Sequence, residues 1–174
     1  MSERKNDAAT AGAPNELVIT RLFDAPRELA FRMFTEIEHI RQWGGPHDYP
    51  LVHAEGDLRP GGKWRSCLRA RKSGEKMWQS GVYREIVPPE RLVYTFAWEE
   101  ENGNTPNETL ITITFANDNG KTRMTFRQAP FVSAESRDGH RKGWNSSFDR
   151  LDDYLKGKRA AVQPARQHQK KELK

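Results

Sequence analysis

Between residues 51 and 128 the chain repeats one pattern: a short run of branched and aromatic residues, then a turn rich in Gly, Asn, Asp or Pro. Such runs predict strands, and connectors this short join neighbouring antiparallel strands. The six predicted strands are Leu51–Leu58, Trp64–Ala70, Trp78–Val87, Leu92–Trp98, Thr109–Phe115 and Arg123–Gln128. The pattern therefore predicts an antiparallel meander.

Alternation within these strands assigns aromatic and apolar side chains to one face of the sheet, because residues i and i+2 of a strand share a side. This face is predicted to carry Trp64, Ser66, Leu68, Leu92, Tyr94, Phe96, Trp98, Met124, Phe126 and Gln128. The opposite face carries Lys63, Arg65, Cys67, Arg69, Arg123, Thr125 and Arg127. The aromatic face needs an apolar element packed against it.

Helical periodicity lies on both sides of this region. Upstream, a predicted strand over Leu17–Phe23 is followed by a helix start at Asp24-Ala25-Pro26. Apolar residues then recur every three or four positions up to Trp43-Gly44, which predicts two short helices. Downstream, one stripe of a long helix is formed by Trp144, Phe148, Leu151 and Leu155. The predicted fold class is α+β: a curved antiparallel sheet wrapped around a long C-terminal helix, with two short helices after the first strand.

The excess of positive charge lies at the C-terminal end of the chain and not in its central part. The formal net charge is +5, which alone would suggest an acidic partner such as nucleic acid. Residues 157–174 contain six cations and one acid, so the rest of the chain is formally neutral. A nucleic-acid-binding domain carries its basic excess on the folded surface, and we therefore predict no nucleic-acid partner. Residues 1–15 and 157–174 are predicted to be disordered tails around one domain, residues 16–156.

The same sequence predicts a cytoplasmic protein without a membrane span. No run of about 18 apolar residues is present, and the first residues lack the hydrophobic core of a signal peptide. Cys67 is the only cysteine, which excludes an internal disulfide and a thiolate metal cluster within one chain. The oligomeric state stays open between a monomer and a homodimer.

Five segments, in this order and spacing, carry a family resemblance. They are Asp24-Ala25-Pro26 with Phe31 and Phe34, Trp43-Gly44-Gly45-Pro46, Asp57-Leu58-Arg59-Pro60-Gly61-Gly62-Lys63-Trp64, the stretch from Gly81 to Leu92, and Gly143-Trp144 with Leu151. Over residues 16–156 the chain resembles the activator of heat-shock-protein-90 ATPase homologue-like family of the START-like (SRPBCC) helix-grip superfamily. The resemblance implies a pocket between sheet and helix. Members of the family often have two adjacent tryptophans where this chain has Trp43-Gly44. They also often have a histidine near the position of Gln128. Because this chain differs at both places, the identity of a ligand is not carried over from the family.

The aromatic residues predict the walls of such a pocket, since rings with polar edges suit the mouth of a ligand cavity. The predicted lining is Trp43, Trp64, Ser66, Leu68, Trp78, Tyr83, Tyr94, Phe96, Trp98, Met124, Phe126, Gln128, Trp144 and Phe148. Trp78 and Tyr83 cannot both face inward on an unbroken strand, and a bulge at Gly81 would resolve the conflict.

Three functional hypotheses follow for the domain, and nucleic-acid binding through the basic tail is a fourth. The first is binding of a small hydrophobic molecule, a lipid or polyketide-like metabolite. The second is a cyclase-, dehydratase- or hydrolase-type enzyme in which Glu85, Tyr83 or His47, the last paired with Asp48, moves a proton on a bound substrate. The third, implied by the resemblance, is a protein-interaction module that stimulates a chaperone ATPase. No histidine pair has metal-binding spacing and no phosphate loop is present, so neither a metal nor a cofactor is expected. His140 is predicted to be a surface residue.

Overall fold

The computed structural model describes residues 15–172, and side chains over residues 15–158. Its elements are β1 (Leu17–Phe23), α1 (Arg27–Thr35), α2 (Ile37–Trp43), β2 (Leu51–Gly56), β3 (Lys63–Arg69), β4 (Lys76–Val87), β5 (Arg91–Trp98), β6 (Thr109–Asp118), β7 (Lys121–Ala129) and α3 (Ala134–Glu172). The predicted order of strand, two short helices, six strands and a long helix is confirmed. The predicted N-terminal tail lies outside the described residues apart from Asn15.

The seven strands form one antiparallel sheet in the order β1-β7-β6-β5-β4-β3-β2. The meander from β2 to β7 is the predicted one, and β1 closes its far side by pairing with β7. Alternation sorts the faces as expected: Leu92, Phe96, Met124 and Phe126 are all buried on the inner face. This sheet curves around α3, which gives the helix-grip architecture.

The core is a cluster of rings where α3 meets the sheet and α1. Phe148 is fully buried and contacts the rings of Phe23, Phe34, Trp43, Phe126 and Trp144 at centroid distances of 5.4–6.4 Å. Leu151 and Leu155 continue the same buried stripe along α3. Burying one large apolar side chain contributes about 1.5–3 kcal/mol, so this stripe fixes the helix on the sheet.

Two arginines attach α3 to its surroundings. On β1, Arg21 donates to the carbonyl oxygen of Asn145 at 2.9 Å and to Asp149 at 2.7 Å. Arg150 donates to the carbonyl oxygens of Gly44 and Gly45 at 2.6 and 2.8 Å, which attaches the end of α2 to α3. The segment between α2 and β2 is therefore held beside the first half of α3.

The backbone of the long helix is helical to Glu172 and so continues past Gly157, where the predicted C-terminal tail begins. The segment lacks an apolar stripe, which suggested disorder. It is rich in Lys, Arg, Gln and Ala, however, and these residues have high intrinsic helix propensity. Within residues 15–172, no helix has both the length and the hydropathy needed to cross a membrane.

Candidate functional site

An open cleft of about 880 Å³ lies between the first half of α3 and the inner face of β3, β4 and β5. Its two walls differ in chemistry. The sheet contributes the apolar side chains of Leu68, Met77, Phe96 and Trp98. The helix contributes mainly polar ones: Ser136, His140, Lys142, Ser146 and Ser147. A molecule with one apolar face and a polar edge would match both walls.

A smaller cavity of about 100 Å³, the inner chamber, adjoins the cleft where α1 and α2 face β2–β5. Most of its lining is apolar or aromatic, including Phe34, Ile37, Ile40, Trp43, Trp64 and Phe96. Four residues border both cavities: Gly45, Gln79, Phe96 and Trp144. Cleft and chamber are therefore neighbouring parts of one space between helix and sheet.

Two tyrosines supply hydroxyl groups to the inner chamber. Tyr83 and Tyr94 are direct cross-strand partners on β4 and β5, with ring centroids 6.1 Å apart. Tyr83 is only 6% exposed. No group among the described residues forms a hydrogen bond with either hydroxyl. No buried side-chain oxygen among these residues lacks a partner, so both hydroxyl oxygens are accessible to a water molecule.

Burial also determines the protonation state of these phenols. Removal from water raises the pKa of Tyr83 to about 12. It raises the pKa of Tyr94 too, and the neighbouring Tyr83 adds to that rise. A phenol with a raised pKa keeps its proton at neutral pH. Both tyrosines therefore act as hydrogen-bond donors, not as bases.

The remaining polar side chains that face the chamber from the inner side of the sheet are uncharged. Gln79 donates from Nε2 to Oγ of Ser66 at 2.8 Å. The neighbouring charged side chain on β3 points to the opposite face of the sheet: Arg65 binds both carboxylate oxygens of Glu99 at 2.8 and 2.9 Å. Its guanidinium lies 3.8 Å from the ring centroid of Trp78. Charges on this part of the sheet are thus turned away from the chamber.

A buried hydrogen-bond chain joins helix and sheet behind the cleft. Trp144 donates from Nε1 to Oε1 of Gln128 at 2.8 Å, and Gln128 donates from Nε2 to the hydroxyl of Thr109 at 2.9 Å. The Thr109 hydroxyl donates in turn to the carbonyl oxygen of Phe96 at 3.2 Å. Gln128 is fully buried, so its hydrogen bonds with Trp144 and Thr109 replace the bonds with water that its amide group lost on folding. The chain fixes the orientation of the Trp144 ring between cleft and chamber.

His140 lines the cleft, where the sequence predicted only a surface residue. Its Nδ1 lies 2.7 Å from the carbonyl oxygen of Ser136, an acceptor, so Nδ1 carries the proton. Nε2 then accepts from Nε1 of Trp98 at 2.9 Å. The signal was present in the sequence, because His140 precedes Trp144 by four residues and so falls on the same helical stripe.

Nine of the predicted lining residues do border the cleft or the chamber. They are Trp43, Trp64, Ser66, Leu68, Tyr83, Tyr94, Phe96, Trp98 and Trp144. The prediction is wrong for Met124, Phe126 and Phe148, which are fully buried and fill the core beneath Trp144. Gln128 lies behind Trp144 and reaches it through the hydrogen bond described above.

Trp78 is a further correction, because it lies on the outer face of the sheet. Its cross-strand partner is Cys67, and its ring also approaches that of His53 at 5.7 Å. β4 keeps its alternation from Met77 to Tyr83, and the register shifts only between Tyr83 and Glu85, not at Gly81. Tyr83 therefore faces inward and Trp78 outward.

The other titratable candidates of the enzyme hypothesis face solvent. Glu85 forms an exposed ion pair with Arg91 at 3.4 Å. The side chain of His47 is 75% exposed and lies 3.2 Å from the carboxylate of Asp48. Of the three candidates, Tyr83 alone faces the chamber.

The raised pKa of Tyr83 predicts a loss of stability at alkaline pH. Above pH 10 the unfolded chain ionises this phenol and the folded chain does not, so the free energy of unfolding falls as pH rises from about 10 to about 12. The expected loss is about 2–3 kcal/mol by pH 12. Denaturant titrations of wild type and Tyr83→Phe at pH 8 and above pH 10 measure it. Equal pH dependence in both proteins would contradict the assignment.

Comparison with known proteins agrees with this architecture. The sequence model described as Activator of Hsp90 ATPase homolog 1-like protein matches residues 24–156. A solved protein from Chromobacterium violaceum is 26% identical, with a TM-score of 0.73 over 82% of this chain and 98% of that one. One from Rhizobium leguminosarum is 28% identical, with a TM-score of 0.69 over 81% and 93% of the two chains. The AHSA1 protein from Silicibacter pomeroyi shares the fold at 23% identity, with a TM-score of 0.74 over 82% and 99%. No curated protein is significantly similar in sequence.

Proposed function

The chain belongs to the Activator of Hsp90 ATPase homolog 1-like family of helix-grip domains, and from this premise we propose that it binds one small hydrophobic molecule between α3 and the sheet. A lipid or a polyketide-like metabolite is the proposed ligand class. The ligand lies with its apolar body against β3–β5 and its polar edge along α3.

The cleft of about 880 Å³ is the observation that carries this proposal. Ligand pockets typically measure roughly 300–1,000 Å³ and combine apolar walls with a few polar groups. Leu68, Met77 and Trp98 supply such a wall, and the serines of α3 supply polar contacts. The adjoining chamber adds space for one end of the ligand.

The groups that line the site favour binding without turnover over the enzyme hypothesis. A cyclase or hydrolase needs a group that takes up or releases a proton near neutral pH. Tyr83, the candidate that faces the chamber, keeps its proton because burial raises its pKa, and both ring nitrogens of His140 in the cleft are held in hydrogen bonds within the protein. A chaperone partner is supported only by the family description, whereas ligand binding is supported by a cleft of suitable size and lining.

A pair of neighbouring substitutions on β4 tests the proposal. Met77→Arg places a cation on the apolar wall of the cleft, and we expect it to weaken binding of a hydrophobic probe at least about tenfold. Trp78→Phe changes the next residue, on the opposite face, and should leave affinity unchanged. Titration of tryptophan fluorescence with flat aromatic compounds and C12–C16 fatty acids measures both.

The proposal fails if no compound in this set gives saturable binding to the wild-type protein. It also fails if Met77→Arg binds as tightly as Trp78→Phe, because the ligand would then lie elsewhere. Circular dichroism of both variants, compared with the wild type, ensures that only folded proteins enter the comparison.

A further inference from the structure

We infer that the inner chamber binds an uncharged hydrogen-bond acceptor at one end of the ligand, a ketone- or quinone-type carbonyl oxygen, through the hydroxyls of Tyr83 and Tyr94. This inference rests on the proposed function and names the chemical group that the site selects.

The size of the chamber limits what it can hold. A cavity of about 150 Å³ accommodates one benzene molecule, and the chamber measures about 100 Å³. It is therefore too small for a whole hydrophobic ligand but large enough for a substituent. Gln79, Phe96 and Trp144 border both spaces, so the chamber adjoins the cleft, and the inference places one end of the cleft ligand there.

The two phenols define the hydrogen-bonding role of that end. Tyr83 is only 6% exposed, and its hydroxyl forms no hydrogen bond with the described residues. No buried side-chain oxygen among the described residues lacks a partner, so this hydroxyl is accessible to a water molecule, and an acceptor on the ligand can take the place of that water. Gln79 donates one of its amide N–H groups to Ser66, whereas neither phenol forms a hydrogen bond with the described residues.

The charge distribution argues that the acceptor is neutral. Two charged residues, Glu55 and Arg65, border the chamber, but their side chains are turned to the outer face. Glu55 lies 3.5 Å from His53, and Arg65 is bound to Glu99. A carboxylate in the chamber would lose its hydration without gaining a cation, which disfavours its binding. A carbonyl oxygen has two lone pairs for two donors and brings no charge.

Three naphthalene probes of nearly equal shape test the inference by isothermal titration calorimetry of the full chain. They are 2-acetylnaphthalene, 2-ethylnaphthalene and 2-naphthoate. We expect the ketone to bind about five- to tenfold more tightly than the ethyl compound, the gain of about one or two hydrogen bonds. The carboxylate should bind most weakly.

The double variant Tyr83→Phe/Tyr94→Phe should lose the preference for the ketone while still binding 2-ethylnaphthalene. Tyr154→Phe is the matched control, because its hydroxyl pairs with His39 at 2.8 Å, away from the chamber. It should retain the preference. If the double variant does not fold, the three affinities of the wild-type protein decide alone.

The outcomes separate the two proposals. Failure of all three probes to bind would contradict ligand binding itself and the inference with it. Equal affinities of the wild-type protein for the ketone and the ethyl compound would overturn the inference and leave ligand binding standing. Tightest binding of 2-naphthoate, or a ketone preference that survives in the double variant, would overturn it as well.

Discussion

Gly81→Ala is expected to lower the free energy of unfolding by about 4 kcal/mol or more, close to abolishing the fold. A methyl group at this position of β4 would overlap the carbonyl oxygen of Thr95 and lie 2.6 Å from Nε1 of Trp64. The first of these atoms is backbone, so the strands β4 and β5 would have to separate. Overpacking of this kind cannot be relieved by a rotamer change.

The reason for a glycine here is the path of the Trp64 ring. Trp64 lies on β3 opposite Gly81, and its indole crosses β4 to donate to the carbonyl oxygen of Thr95 on β5 at 3.0 Å. A side chain at position 81 would block that crossing. Since Trp64 also lines the inner chamber, the substitution should disturb the chamber wall together with the sheet.

Urea denaturation and thermal melting measure the effect, and a drop in melting temperature of about 10 °C or more is expected for a chain of this size. Gly157→Ala is the matched control: the residue is exposed in α3, and a methyl group there would meet nothing within 4 Å. It should raise stability by about 0.5–1 kcal/mol through helix propensity. Similar effects of both substitutions would contradict the close contact at Gly81.

The strands and their faces could be predicted because hydrophobic alternation is a local property of each strand. The inward direction of Trp64, Phe96 and Phe126 follows from parity alone. Trp78 was placed wrongly because the direction of β4 depends on where its register shifts, and that point, between Tyr83 and Glu85, is fixed by pairing with β5. Nothing in the β4 sequence distinguishes this position from Gly81.

The extent of the cavity could not be predicted, because parity does not tell a side chain that fills the core from one that borders open space. Phe126 and Phe96 share the inner face, yet Phe126 lies under α3 with its ring 5.4 Å from Phe148, whereas Phe96 borders the cleft. The difference depends on where α3 approaches the sheet and where it stands away. That distance is a tertiary property, set by the core stripe of α3 and by its contacts with β1 and α2.

Trp144→Ala is expected to cost about 3–5 kcal/mol, because it removes a large ring from the junction of helix and sheet. The Trp144 ring packs on Phe126 at 4.6 Å and Phe148 at 5.7 Å. The same substitution removes part of the boundary between cleft and chamber. We therefore expect a less stable protein with a wider opening between cleft and chamber, which accepts larger hydrophobic probes at lower selectivity.

A double-mutant cycle separates the ring from its hydrogen bond. Trp144→Phe keeps an aromatic ring but leaves Oε1 of the fully buried Gln128 without its donor, at a cost of about 1–3 kcal/mol. Gln128→Met removes the acceptor. The loss of stability caused by Gln128→Met should therefore be smaller in the Trp144→Phe variant than in the wild-type protein. The expected coupling is about 1–2 kcal/mol, measured by denaturant unfolding. Strict additivity would mean that the ring contacts alone hold Trp144, and the orientation of the cleft wall would then not depend on Gln128.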